Sequence, residues 1–221
     1  MVLSSQKSTF LATEQWISVP WLGGDSKKDV LQYLLDYVVK IPAFLEQMDQ
    51  HQSQPDSDLT DEFKLQNKAL VSWALSLHRS LLRWKSDNAA TYPRGPAREI
   101  PQDSHFPIYR PSLTVMTKIT IPTSLTYPGL TLARSLCLYH AAQLNLLGTR
   151  LLCGGSLSKT KPTHVNDMCR SVQWIFMDAS APFMLQLEFC LQVAYDTSGE
   201  GSSERAFVQE AFQYMRDRRR I

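Results

Sequence analysis

Residues Thr163 to Tyr195 read THVNDMCRSVQWIFMDASAPFMLQLEFCLQVAY, two apolar segments joined across a Ser180-Ala181-Pro182 break. In the first, Met168, Cys169, Val172, Ile175 and Phe176 recur at steps of three and four, with Asn166 or Asp167 in place to cap the start and Arg170, Gln173 and Asp178 on the other faces. That period is an amphipathic helix's. The second segment fits two periods. Phe183, Leu185, Leu187, Phe189, Leu191, Val193 and Tyr195 alternate as in a strand, whereas Met184, Leu187, Leu191 and Ala194 satisfy a helix. Its helical surroundings favour the helix, and that choice decides an all-α fold: an irregular multi-helix bundle of about six to eight helices with one long Pro-rich loop.

The flanking sequence repeats the helical period. Pro128 and Gly129 open a segment in which Leu130, Ala133, Leu136, Cys137, Ala141, Leu144 and Leu147 form one face while Leu132, Leu138, Tyr139 and Leu146 cover much of the rest. Apolarity all round marks a central, buried helix. Between Asp61 and Trp84, Phe63, Leu70, Ala74, Leu77, Leu81 and Trp84 make a stripe, with His78 at its margin as a partly covered surface residue. Ser26 and Asp29 form an S-x-x-D start for a helix carrying Val30, Leu31, Leu34, Val38 and Ile41, which Pro42 ends or kinks; a shorter turn through Phe44, Leu45 and Met48 follows. Ser202 to Arg220 forms a last helix with a stripe of Phe207, Val208, Ala211, Phe212 and Met215. Residues 1–25 read as an N-terminal extension holding WISVPW, residues 26–221 as one helical domain, and 86–127 as its irregular insert. Within that insert Thr114 to Ile121 alternates like a strand but has no evident partner, so no sheet is expected.

Composition narrows the function classes. The chain has 221 residues, 43% of them hydrophobic, enough for a substantial core. With 23 Lys and Arg against 21 Asp and Glu, a net charge of +2 creates no global field toward nucleic acid or anionic lipid. No run approaches the roughly 20 apolar residues of a membrane span, and the N-terminus lacks a signal-peptide core, so an intracellular soluble protein is expected.

Candidate chemistry is sparse. Cys137, Cys153, Cys169 and Cys190 are widely spaced without a C-x-x-C pair, which points to buried free thiols rather than a zinc knuckle or a disulfide framework. Asp56 and Asp58, in the polar linker 49–60, lack the glycine and closing glutamate of an EF-hand loop. Gly154-Gly155-Ser156 lacks the lysine of a phosphate loop and reads as a helix-ending turn. Cys137 and His140, three residues apart, are the one thiol and base pair on offer; without access or an oxyanion site they read as core. No catalytic residue, cofactor or metal is assigned, and no enzyme is expected. The terminal Arg216, Arg218, Arg219 and Arg220 complement the negative end of the helix dipole.

The order of TEQWISVPW (Thr13 to Trp21), VVKIPAFL (Val38 to Leu45), SLHRSLLRW (Ser76 to Trp84), TLARSLCLYHAAQLNLL (Thr131 to Leu147), and MCRSVQWIF followed by LQLEFCLQVAYD resembles the C-terminal regulatory region of fungal zinc-cluster transcription factors. The resemblance covers most of the chain. It implies a mostly helical, nuclear, non-catalytic regulatory domain of transcription, in proteins often tied to secondary metabolism or nutrient response. In that family an N-terminal binuclear cluster of six cysteines reads DNA; the sequence given holds no such cluster, so DNA binding through one is not expected. A truncated paralogue, a fragment and a stand-alone regulator stay open. The expected partner is another protein or a second copy, meeting the exposed sides of the helices at 61–84 and 203–220, with Phe207, Phe212, Arg216, Arg218, Arg219 and Arg220 as candidate contact residues. A small-molecule-sensing domain is the alternative, since five Trp, nine Phe and eight Tyr supply material for an apolar pocket.

Overall fold

The computed structural model describes residues 27–53, 61–103, 105–110, 122–149, 160–178 and 181–218, together with Thr13, Gln15 and Ser18. The chain is mostly helical, as the periodicity predicts. In order it forms α1 (Val30–Val38), α2 (Ile41–Gln52), α3 (Asp61–Trp84), a π-helical turn (Lys85–Ala89), β1 (Arg98–Pro101), β2 (Thr123–Thr126), α4 (Leu130–Gly148), α5 (Lys161–Asp178), α6 (Ala181–Thr197) and α7 (Ser203–Arg218).

Helix α4 is the centre. From Leu132 to Leu147 nearly every side chain is buried, and α1, α3, α5 and α6 pack around it. Gly129 caps it, as the Pro-Gly pair predicts. Burial of this much apolar surface, at about 25 cal/mol per Å², is the main force holding the bundle. The segment after Pro182 is helix α6, whose Met184, Leu187, Cys190, Leu191 and Ala194 are buried; the alternation of large apolar residues is satisfied because Leu185 stays exposed and Phe189 and Tyr195 are only partly covered.

Helix boundaries move from where the sequence puts them. The N-cap of α1 is Asp29, not Ser26: its carboxylate accepts from the Gln32 amide at 2.8 Å while the Gln32 side chain accepts from the Asp29 amide at 2.7 Å, a closed capping box. Pro42 does not end a helix but opens the next. The chain turns at Val39 and Lys40, and Pro42 occupies the first turn of α2, where a missing amide costs nothing. Helix α2 is accordingly a full helix through Gln52 rather than a short turn, and Asp49 to Gln52 belong to it, not to the linker. Helix α5 begins at Lys161, ahead of the Asn166 and Asp167 cap, again with a proline in its first turn.

The insert carries a sheet that the sequence reading lacks. β1 and β2 pair antiparallel, Arg98 opposite Thr126 and Pro101 opposite Thr123. Two isolated strands are marginal in water, and here α5 holds them. Arg170 donates to Thr123 Oγ1 at 2.8 Å and pairs with Glu99 at 2.9 Å, and Gln173 Oε1 accepts from Ser124 Oγ at 2.8 Å and from the Asp103 amide at 3.2 Å. The Thr114 to Ile121 strand and the Gly154-Gly155-Ser156 turn lie outside the described residues, as do Cys153, Asp56, Asp58 and the two tryptophans of WISVPW. Among the described residues no helix is long and apolar enough to cross a membrane.

Candidate functional site

The terminal surface divides. Phe207 is buried at 3% exposure, its ring 5.1 Å from that of Tyr109, and it belongs to the core. Phe212 is only partly covered, and Arg216 is exposed with Nη2 donating to Gln213 Oε1 at 3.1 Å. The Arg218 side chain, Arg219 and Arg220 lie outside the described residues. Phe207 therefore leaves the expected interaction surface, and Phe212 and Arg216 stay on it.

These two residues line an open groove of about 860 Å³ between α6 and α7, with Glu188, Phe189, Gln192, Tyr195, Gln209 and Gln213. The antiparallel turn at Ser198 to Ser202 brings the helices together, and Gln209 Nε2 donates to Tyr195 Oη at 3.1 Å while the Arg205 guanidinium lies 4.2 Å from the centre of the Tyr195 ring. Three aromatic rings and three glutamine side chains thus line it. Leu185, 66% exposed, stands on α6 one turn before Glu188 and Phe189. The sequence stripe found Phe212; the α6 half was hidden because Phe189 and Tyr195 read equally well as core.

A second cluster is buried. His140 on α4 and His164 on α5 meet with their Nδ1 atoms 2.9 Å apart, so one nitrogen donates and the other accepts. The Asp167 carboxylate is 3.9 Å from His140 Nε2. The Tyr139 ring packs against both imidazoles, and Lys85 reaches over that ring from the π-helical turn. His78 is buried rather than marginal: its Nδ1 lies 2.6 Å from Gln143 Oε1, also buried. Desolvation holds His140 well below the ordinary imidazole value and His164 at about 4, with neighbouring cationic groups adding to the effect. Burial raises the Asp167 carboxyl, against the opposing pull of Lys85 and Arg170.

Cys137 and His140 do not work as a pair in this arrangement. The hydrogen-bonding neighbour of the Cys137 thiol is Ser171, burial pushes that thiol up to about 12, and His140 Nδ1 is committed to His164. A nucleophile needs the thiolate, and this environment opposes it. Cys137, Cys169 and Cys190 are all free and buried. Among the described residues no group of three or more His, Cys, Asp or Glu is placed to hold a metal ion. No protein-family model, no curated protein and no solved structure matches this chain.

Proposed function

We propose that the chain is a regulatory and interaction domain related to the C-terminal regions of fungal zinc-cluster transcription factors, working in the nucleus by contact and not by catalysis. The observation that carries this reading is the α6/α7 groove. Its partly covered rings at Phe189, Tyr195 and Phe212 offer apolar seats, and the amides of Gln192, Gln209 and Gln213 offer donors and acceptors suited to a docked backbone. Aromatic residues gathered at a surface are the usual anchors of binding energy. The order of motifs along the chain supports the family; the groove supports the mode of action. Transcriptional control would follow from what docks there, with no zinc cluster of the chain's own required.

The test fuses the chain to a heterologous DNA-binding domain and reads a reporter gene, with light scattering of the isolated chain beside it. Phe212→Asp is expected to change the reporter output, or the mass if the partner is a second copy, while circular dichroism stays helical and the melting temperature falls because Phe212 also packs against the core. A fusion that leaves the reporter at the level of the bare DNA-binding domain, with the mass of wild type and variant equal to the monomer, rejects the reading.

A further inference from the structure

The polar cluster between α4 and α5 is not used by the groove. It sits where a core normally carries apolar side chains. His140 and His164 are 4% and 7% exposed, their Nδ1 atoms face one another at 2.9 Å, and the Tyr139 ring closes the edge with centroids 5.1 and 5.8 Å away. Two imidazoles in this pose can share one proton between their facing nitrogens and no more. We propose that the His140–His164 contact is a proton-operated latch: with at most one ring charged a single N–H bridges the facing nitrogens and ties α5 to α4, and charging both rings sets N–H against N–H and releases α5.

The surroundings favour release over accommodation. The groups facing the pair are His78 from α3, Lys85 from the π-helical turn, Tyr139 from α4 and Asp167 from α5, with Arg170 and Glu99 of β1 beyond Asp167. Lys85 repels an imidazolium. Among the described residues Asp167 is the nearest anion; it approaches His140 Nε2, where it can support one charged ring, and does not reach the crowded Nδ1 side. Burial holds both imidazoles below their ordinary value, so the closed state excludes protons that the open state takes up below about pH 6.5. Falling pH therefore drives opening. Asp167, whose carboxyl is raised by burial, takes a proton in the closed state and opposes part of that drive.

Release at this point reaches the rest of the fold through α5. That helix carries the β1/β2 hairpin through Arg170 and Gln173, holds Tyr127 through Ser171, and packs on α6 and α7. Helices α2 and α3 pair with one another, and α3 meets the cluster through His78. Opening is thus expected to be local to α4, α5 and the hairpin before it becomes global.

Hydrogen exchange by mass spectrometry on the full chain between pH 7 and 4.5 tests this, with rates corrected for intrinsic exchange. Protection in peptides from 161–178 is expected to fall by roughly tenfold or more per pH unit below pH 6, ahead of peptides from 41–52 and 61–84. In His164→Gln, whose amide can still donate to His140 Nδ1, the pH dependence is expected to be shallower by about one proton. Equal loss of protection in all helices overturns the latch, and so does an unchanged slope in the variant. Should His164→Gln not fold, imidazole nitrogen shifts of the wild type decide: one protonated and one bare Nδ1 that titrate together support the latch, and two independent titrations overturn it.

Discussion

The indole Nε1 of Trp84, the last residue of α3, donates a 3.0 Å hydrogen bond to the backbone carbonyl of Val30, the first residue of α1, 54 positions earlier. The same ring packs 5.6 Å from that of Tyr139 on α4 and is 1% exposed. One side chain thus fixes three helices, and it does so at the point where α3 passes into the π-helical turn.

Replacing it separates the two contributions. Trp84→Phe keeps an aromatic ring but removes the donor and some volume, and is expected to cost about 1–3 kcal/mol. Trp84→Ala adds a large cavity and is expected to cost about 3–5 kcal/mol. Urea unfolding followed by circular dichroism measures both. Equal losses would show that the ring retained in Trp84→Phe contributes nothing beyond alanine and that the indole donor and its volume carry the whole effect.

How much of this was legible beforehand depends on what each signal measures. Leu70, Ala74, Leu77, Leu81 and Trp84 are buried as their spacing predicts, because a helix in contact with one core has only one apolar face to offer. His78 sits on the same face, yet sequence placed it at the margin. Its burial depends on Gln143, 65 residues away, and no local period reports a hydrogen-bond partner at that distance. The β1/β2 pairing is hidden for the same reason: β1 is exposed along its whole length, so it has no apolar alternation to detect, and its support comes from Arg170 and Gln173 on α5. Caps were shifted by competition among near neighbours. Ser26 and Asp29 are both good caps, and the reciprocal bond with Gln32 selects Asp29.

The three buried thiols make a chemical prediction. At pH 8 a thiol pushed up to about 12 is ionised on the order of 1 part in 10,000, and Cys137 is also shielded at 2% exposure. Burial likewise raises the Cys169 and Cys190 thiols well above their ordinary value. Iodoacetamide applied to the native protein is expected to leave all three unmodified over an hour and to label them fully in urea, as read by peptide mass spectrometry. Rapid native labelling of Cys137 would contradict the packing of α4 against α5 and α6.

Two glycines in the α6/α7 turn give a contrast free of side-chain clashes, since a Cβ at either meets no atom within 4 Å. Gly201 has φ near +72°, a conformation in which a Cβ crowds the following carbonyl, so Gly201→Ala is expected to cost about 1 kcal/mol or somewhat more. Gly199 is not in that region, and Gly199→Ala is expected to be neutral or to stabilise by about 0.5 kcal/mol through the unfolded chain. Differential scanning calorimetry of the two variants checks the difference in sign. The turn matters because it sets the spacing of the helices that form the groove.

Alkaline stability follows from the same burial. Tyr127 is desolvated among α4 and α5, and its hydroxyl donates to Ser171 Oγ, whose own proton goes to the Asp167 carbonyl. Desolvation raises the Tyr127 phenol well above its ordinary value, as it does Tyr109, and pushes Tyr139 to about 12. A raised native value means that above about pH 9 to 10 the unfolded chain loses protons that the native chain keeps. Stability from these groups is therefore complete below the unfolded values and is lost as pH rises through them, starting with the cysteines near pH 9 and joined by the tyrosines near pH 10. Each fully buried group is expected to add up to about 1.4 kcal/mol of loss per pH unit inside its window. In urea titrations from pH 8 to 11, Tyr127→Phe is expected to begin lower, because it removes the hydroxyl that bonds Ser171 Oγ, but to fall less steeply than wild type. Parallel curves for the two proteins would mean that Tyr127 ionises in the native state as freely as in the unfolded chain, which its burial beneath α5 forbids.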